Sequence, residues 1–270
     1  MSLRFHKMHA NGDDFMVFDF RRSSHSVTST LVKRLSDRNR GVGFNQLAVI
    51  VDCNDAAARI LFWNANGTVL DACGSATRGV AHILMQESKL KSIFLRTNRG
   101  VTLCEKKDEH MISVDMGTPQ TDWKDIPLIH EADTLSLPLL GLPVACSMGN
   151  PHCTFFVDDL SAIDVAKKGK LIENHPLFPE KTNVHFVQIL GRELIRLRIW
   201  ERGGSIPLGS GSCSCAAVVA GIRRGLLASN VEVICDGGPV EVRWDGTGHV
   251  FLTGIVGEIF SGALSACLLS

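Results

Sequence analysis

The chain carries no net charge, because 28 Lys and Arg residues are matched by 28 Asp and Glu. A phosphate-backbone binder needs a basic excess, so nucleic acid is not an expected partner. No apolar run reaches the ~18 residues of a membrane span, so no membrane partner is expected either. The opening Met1-Ser2-Leu3-Arg4-Phe5-His6-Lys7 lacks the apolar core of a secretory signal. There is no Walker A loop and no dinucleotide fingerprint. The nine cysteines, an odd number, do not read as a disulfide framework. Cys213 and Cys215 form a C-x-C, but no second paired cluster completes a zinc site, so no metal is expected. What is there is a globular composition, 45% hydrophobic, in 270 residues. That length suits one large domain or two of about 130 residues each, soluble and cytoplasmic.

The second half resembles the first. Trp200 in Ile199-Trp200-Glu201-Arg202-Gly203-Gly204 lies 137 residues after Trp63 in Phe62-Trp63-Asn64-Ala65-Asn66-Gly67. The same offset of 137 relates Ser210-Gly211-Ser212 to Cys73-Gly74-Ser75, Gly149 to Gly12, and Asn183 to Gln46. Recurrence at one spacing, near half the chain length, points to a duplicated domain. Pro119, Pro127, Pro138 and Pro143 cluster between the halves as a linker would. The expected lobes are 1–118, completed by a C-terminal strand over 258–270, and 119–257.

Short β-branched or aromatic runs predict strands over 15–20, 47–51, 59–63, 93–96, 101–104 and 112–116. Helical spacing of Ala76, Val80, Ala81, Ile83 and Leu84 predicts a helix over 74–86. The order then repeats, with strands over 153–157, 184–189, 194–200, 231–235, 240–244 and 249–252 and a helix over 212–225. The expected fold class is α+β, with two pseudo-symmetric halves, each a mainly antiparallel sheet or barrel around a central helix.

Cys73 and Ser210 fall at equivalent positions, each opening a helix. A helix N-terminus has unsatisfied N–H groups and about half a positive charge, which holds anions and lowers a thiol's pKa. Cys73, followed by Gly74 and Ser75, therefore reads as a reactive thiolate, whereas Cys104, Cys235 and Cys267 read as buried structural residues. Two such helix starts facing across a cleft would hold a carboxylate and aim one side chain at each face of its α-carbon. One group removes a proton and the other returns it, with no cofactor.

These residues resemble the diaminopimelate epimerase family. Lys7-Met8-His9-Ala10-Asn11-Gly12-Asp13-Asp14-Phe15 is similar to the family's K-M-H-G-x-G-N-D-F, and Gly41-Val42-Gly43-Phe44-Asn45-Gln46-Leu47 to its G-x-G-x-D-Q/G-L. The 62–67 and 73–78 segments resemble F-x-N-x-D-G and C-G-N-G-x-R. Met148-Gly149-Asn150-Pro151-His152 matches M-G-N-P-H, Thr182-Asn183-Val184-His185-Phe186 resembles T-N-V-x-F, and Trp200-Glu201-Arg202-Gly203 matches W-E-R-G. The resemblance implies an isomerase without pyridoxal phosphate that interconverts LL- and meso-diaminopimelate in lysine and peptidoglycan-precursor synthesis. It implies two cysteines as acid and base.

The first of these corresponds to Cys73, while the second is replaced by Ser210, counted back from Cys215-Ala216-Ala217-Val218. A hydroxyl is a far weaker acid than a thiol at ~8.5, so Ser210 is no simple substitute. Cys213 is not expected to stand in, being three residues further along the helix. Asp13 puts a carboxylate where the family has an amide. The substrate-binding set implied is Asp13, Gln46, Asn64, Gly74, Ser75, Asn150, Asn183, Glu201, Arg202, Gly211 and Ser212. Taken singly, Glu201 and Arg202 also fit a surface ion pair, Asn150 a turn before Pro151, and His152 a loop histidine or an orienting partner of Ser210. The partner expected is a small-molecule amino acid, with a homodimer left open. A paralogous racemase and a binding-only homologue are the alternatives that Ser210 keeps in play.

Overall fold

A two-residue turn sets the first hairpin. Asn11 and Gly12 both take positive φ, 53° and 79°, as the tight turn that matches strand twist requires. They join β1 (Arg4–Ala10) to β2 (Asp13–Asp19) with Ala10 opposite Asp13. The computed structural model describes residues 3–265 and Leu268. These form two compact units, 1–114 with 254–270, and 115–253.

The first unit continues through α1 (Ser29–Ser36), β3 (Gln46–Val51), β4 (Ala58–Asn64), β5 (Val69–Leu70), α2 (Gly74–Ser88), β6 (Ser92–Thr97), β7 (Gly100–Lys106) and β8 (Met111–Asp115). The second runs through β9 (Val144–Ser147), β10 (Pro151–Phe156), α3 (Val165–Glu173), β11 (Asn183–Gly191), β12 (Leu194–Trp200), α4 (Gly211–Arg223), β13 (Asn230–Cys235), β14 (Gly238–Arg243) and β15 (Phe251–Ile255). The chain then returns as β16 (Gly257–Ala263), which pairs antiparallel with β1. Of the strand expected over 258–270, the part at 266, 267, 269 and 270 lies outside the described residues, as does Cys267.

Strand order is β16-β1-β2-β3-β4-β6-β7-β8 in the first unit and β15-β14-β13-β12-β11-β10-β9 in the second. The α+β class holds, with sheets that are mixed: β2/β3, β4/β6, β10/β11 and β12/β13 are parallel. Helix α2 touches β1, β2, β3, β6 and β7, and α4 touches β9, β10, β11, β12 and β14. Both helices are buried almost all round, Ser75 to Met85 and Cys213 to Gly221, which is the pattern of a core helix.

The repeat extends to register. Phe15 stands opposite Gln46, and His152 opposite Asn183. Leu47 faces Trp63 as Val184 faces Trp200. In both halves the offset is 137 residues.

The proline cluster is not a free linker. It lies within the second unit, where Ile126, Leu128, Leu137 and Leu139 pack with Phe155, Phe186 and Trp200. Apolar residues between the prolines anchor the segment, while the prolines only shape its turns. The last expected strand starts at Phe251 rather than at His249, because the His249 ring leaves to meet Asp115 Oδ2 at 2.7 Å.

Gly169 lets α3 approach Trp200, since a Cβ there would lie 2.3 Å from the Trp200 Cβ. Gly169→Ala should lower stability by about 1–3 kcal/mol, the usual cost of overpacking. Urea denaturation checks this; an unchanged midpoint would mean that α3 shifts freely away from the tryptophan.

Candidate active site

In the first unit the chemistry gathers at the start of α2. Cys73 is the N-cap, with extended φ and ψ of −144° and 109°, and its Sγ accepts from the Ala76 N–H at 3.5 Å. Asp13 is positioned by the Asn11-Gly12 turn. Its Oδ1 accepts from Asn45 Nδ2 at 3.0 Å and, with the Gln46 amide turned to donate, from Gln46 at 3.0 Å. The Ser75 hydroxyl is a further partner of Asp13. Gln46 lies opposite Asn64 across β3 and β4, and Asn64 Nδ2 donates to Thr68 Oγ1 at 2.9 Å. Of the residues expected in this half, the structure thus brings together Asp13, Gln46, Cys73, Gly74 and Ser75, with Asn64 held on the neighbouring hairpin.

The neighbouring loop is fixed by charge. Asp14 is paired with Lys7 and accepts two hydrogen bonds from Arg38, at 2.9 and 2.7 Å. Lys7 also donates to the Gly43 carbonyl. Burial works to raise the Asp14 pKa, but the hydrogen bonds from Arg38 and Lys7 outweigh it and the carboxyl stays below its usual range.

The electrostatics of Cys73 reverse the sequence expectation. Although the residue keeps some exposed surface, desolvation and the Asp13 carboxylate push the thiol up to about 12. The Ala76 and Ser75 amides and Arg78 pull the other way and lose. Burial likewise pushes Asp13 up, against hydrogen bonds from Asn45 and Ser75. Cys73 is therefore a thiol at neutral pH, because the low dielectric outweighs the helix start.

The second unit builds the corresponding start of α4. Ser210 is the N-cap, with φ −149° and ψ 125°, almost the Cys73 backbone, followed by Gly211 and Ser212 in the first turn. The Ser214 hydroxyl donates to the Ser210 carbonyl at 2.9 Å, as the Thr77 hydroxyl does to the Cys73 carbonyl at 2.7 Å. Yet the Ser210 side chain makes no capping bond; it interacts with the Cys213 sulfur instead. The expectation that Cys213 turns away is corrected here, since an N-cap side chain and the third helical residue are neighbours.

The loop after β12 copies that after β4. Gly204 N–H donates to the Glu201 carbonyl at 3.0 Å as Gly67 does to Asn64 at 2.8 Å. Ser205 Oγ meets Glu201 Oε2 at 3.0 Å, mirroring Thr68 on Asn64. Asn183 is occupied with positioning: Nδ2 donates to the Pro151 carbonyl at 2.9 Å and Oδ1 accepts from the Arg202 N–H at 3.0 Å. The Arg202 side chain is exposed and extends toward the Glu180 carbonyl at 3.4 Å. His152 is a fully buried strand residue, not a loop histidine, and its Nε2 lies 3.0 Å from Asn150 Oδ1.

The sequence pattern of the family described as diaminopimelate epimerase matches residues 5–121 and 144–257. A diaminopimelate epimerase of Acidiphilium cryptum is 44% identical over 270 residues, covering 98% of each chain. The chain belongs to the diaminopimelate epimerase family. Another member, from Rhodospirillum centenum, is 41% identical over 100% of this chain and 94% of its own. Among solved structures, a predicted epimerase from Pseudomonas aeruginosa shares the fold at a TM-score of 0.71 and 15% identity, covering 97% of this chain and 99% of that one.

Within this family frame, two residues escape a sequence reading. Arg78 is 1% exposed and acts electrostatically on both Asp13 and Cys73. Glu173, 3% exposed, anchors the Trp200–Gly203 loop by accepting from Trp200 Nε1 and the Gly203 N–H, both at 2.8 Å. Arg78 closes the C-G-S-A-T-R motif, a signal that could have found it; Glu173 has no local signal. Cys104 and Cys235 are buried as expected, and all eight described cysteines are free thiols.

Asp13→Asn should lower the Cys73 pKa by removing a facing negative charge, so Cys73 alkylation at pH 8 should quicken. Each pKa unit released gives up to about tenfold more thiolate. The pH dependence of iodoacetamide labelling, read by peptide mass spectrometry, measures this. A slower or unchanged rate in Asp13→Asn would mean that Asp13 does not set the thiol's protonation.

Proposed function

We propose that this chain epimerises an amino acid at its α-carbon, interconverting LL- and meso-diaminopimelate in lysine biosynthesis, with Cys73 serving one face of the carbon and Ser210 the other. Two helix starts of near-identical backbone at equivalent positions carry this reading. Their first-turn N–H groups suit the substrate's α-carboxylate, whose charge grows as the α-proton leaves. An α-ammonium beside Asp13 and Cys73 opposes the effect of burial and favours the thiolate, so substrate itself readies the base. Cys73 then takes the α-proton and the carbanion is protonated from the opposite face for inversion, or from Cys73 again for exchange alone. Arg202 suits a distal carboxylate and Glu201 a distal ammonium. The cytoplasm is the proposed location, supported by the eight free thiols.

Ser210 makes the two directions unequal. An alkoxide is scarcely available near neutral pH, so abstraction from that face is slow. In deuterated water, the α-hydrogen of one stereoisomer should exchange much faster than that of the other, and net epimerisation should lag behind exchange. Ser210→Cys should raise epimerisation roughly 10²–10⁴-fold, the usual worth of a matched acid–base group. Proton NMR on LL- and meso-diaminopimelate reads both quantities. Equal exchange of both isomers would show Ser210 to be a competent base; no exchange before or after Ser210→Cys would leave a binding protein.

A further inference from the structure

Three buried side chains from three elements converge in the second unit. His152 comes from β10, His185 from β11 and Cys213 from the first turn of α4, and they are 0%, 0% and 1% exposed. Their ring nitrogens and sulfur all lie within 4.8 Å of one another. His152 Nδ1 and His185 Nε2 are 3.1 Å apart. The outer nitrogens meet oxygens of the same strand pair, His152 Nε2 at 3.0 Å from Asn150 Oδ1 and His185 Nδ1 at 3.0 Å from Thr154 Oγ1.

Such outer hydrogen bonds are what orient imidazoles around a metal. Two nitrogens bound to one tetrahedral zinc at about 2.0–2.1 Å would be about 3.3–3.4 Å apart, close to the spacing here. We propose that His152 Nδ1, His185 Nε2 and Cys213 Sγ form a binding site for a borderline-soft divalent cation of the zinc class. Two nitrogens and one thiolate suit zinc or cobalt and disfavour magnesium or calcium. The fourth position is left to water.

The proton count closes. Without a cation the chain of bonds runs from the Thr154 hydroxyl to His185 Nδ1, from His185 Nε2–H to His152 Nδ1, and from His152 Nε2–H to Asn150 Oδ1. Binding moves the His185 proton from Nε2 to Nδ1, where Thr154 Oγ1 accepts it. Cys213 gives its proton to solvent as the sulfur–metal bond forms, so one proton leaves per cation and nothing is oxidised. Burial already holds His185 neutral, its pKa pushed down to about 3. It also raises the Cys213 thiol, and a metal ion reverses that by binding the thiolate outright.

The test uses the full chain, stripped with a chelator and titrated with Co²⁺. A thiolate-to-cobalt absorption band saturating at one equivalent is expected, displaced by Zn²⁺, together with release of about one proton per cation. Cys213→Ser should abolish the band, and Cys146→Ala, a buried cysteine elsewhere in the unit, should retain it. Should Cys213→Ser fail to fold by circular dichroism, X-ray absorption of the zinc-loaded parent decides, with two imidazole nitrogens and one sulfur expected. No band in the parent, a band that survives in Cys213→Ser, or a zinc shell without sulfur would overturn the proposal.

Discussion

Parallel register between neighbouring strands holds both halves of the molecule in working order. A slip of one residue would turn every side chain of a strand to the opposite face. In the first unit, the pairing of Phe15 with Gln46 lets Gln46 reach the Asp13 carboxylate beside Cys73. In the second, the pairing of His152 with Asn183 lets Asn183 tie the Pro151 carbonyl to the Arg202 backbone and brings the two histidines together. The crossovers through α1 and α3 are short, so their packing fixes this register. Val32 and Leu35 bury one helix, while Val165 and Gly169 seat the other against its core.

On this shared frame the two helix starts have diverged chemically. The backbone amides are the same; what differs is the group presented and what surrounds it. Cys73 faces a carboxylate and a buried guanidinium, whose opposing influences leave desolvation in charge. Ser210 instead turns its hydroxyl toward a sulfur and leaves the cap unmade, although serine is among the best capping residues. A forgone cap costs about 1 kcal/mol, which suggests that geometry at this position answers to something other than helix stability.

Much of the architecture was legible because most strands are apolar runs between turn residues and both central helices are apolar enough to stand out. The β1 run was not, because His6, Lys7 and His9 make it read as polar. Lys7 is buried only through Asp14 and the Gly43 carbonyl, partners distant in sequence. Helix α3 was hidden by Gly169 at its centre, a residue that normally argues against a helix. At the site, motif and repeat named Cys73, Ser210 and their flanking residues. They could not name Glu173 or the thiol's raised pKa, since both arise from folding rather than from spacing. The same holds for Cys213, whose neighbours come from two strands about 30 and 60 residues earlier.

The pairing of β16 with β1 has a consequence for synthesis of the chain. The first unit is made from both ends of the polypeptide, the second from one continuous stretch. During vectorial synthesis the second unit is therefore complete before the ribosome delivers the last strand of the first. Until then β1 has only β2 beside it, and its other edge stays unpaired. Translation beyond residue 253 thus lasts as a window in which this edge can recruit a chaperone or another nascent chain, although the residues that close it lie at the opposite end of the gene.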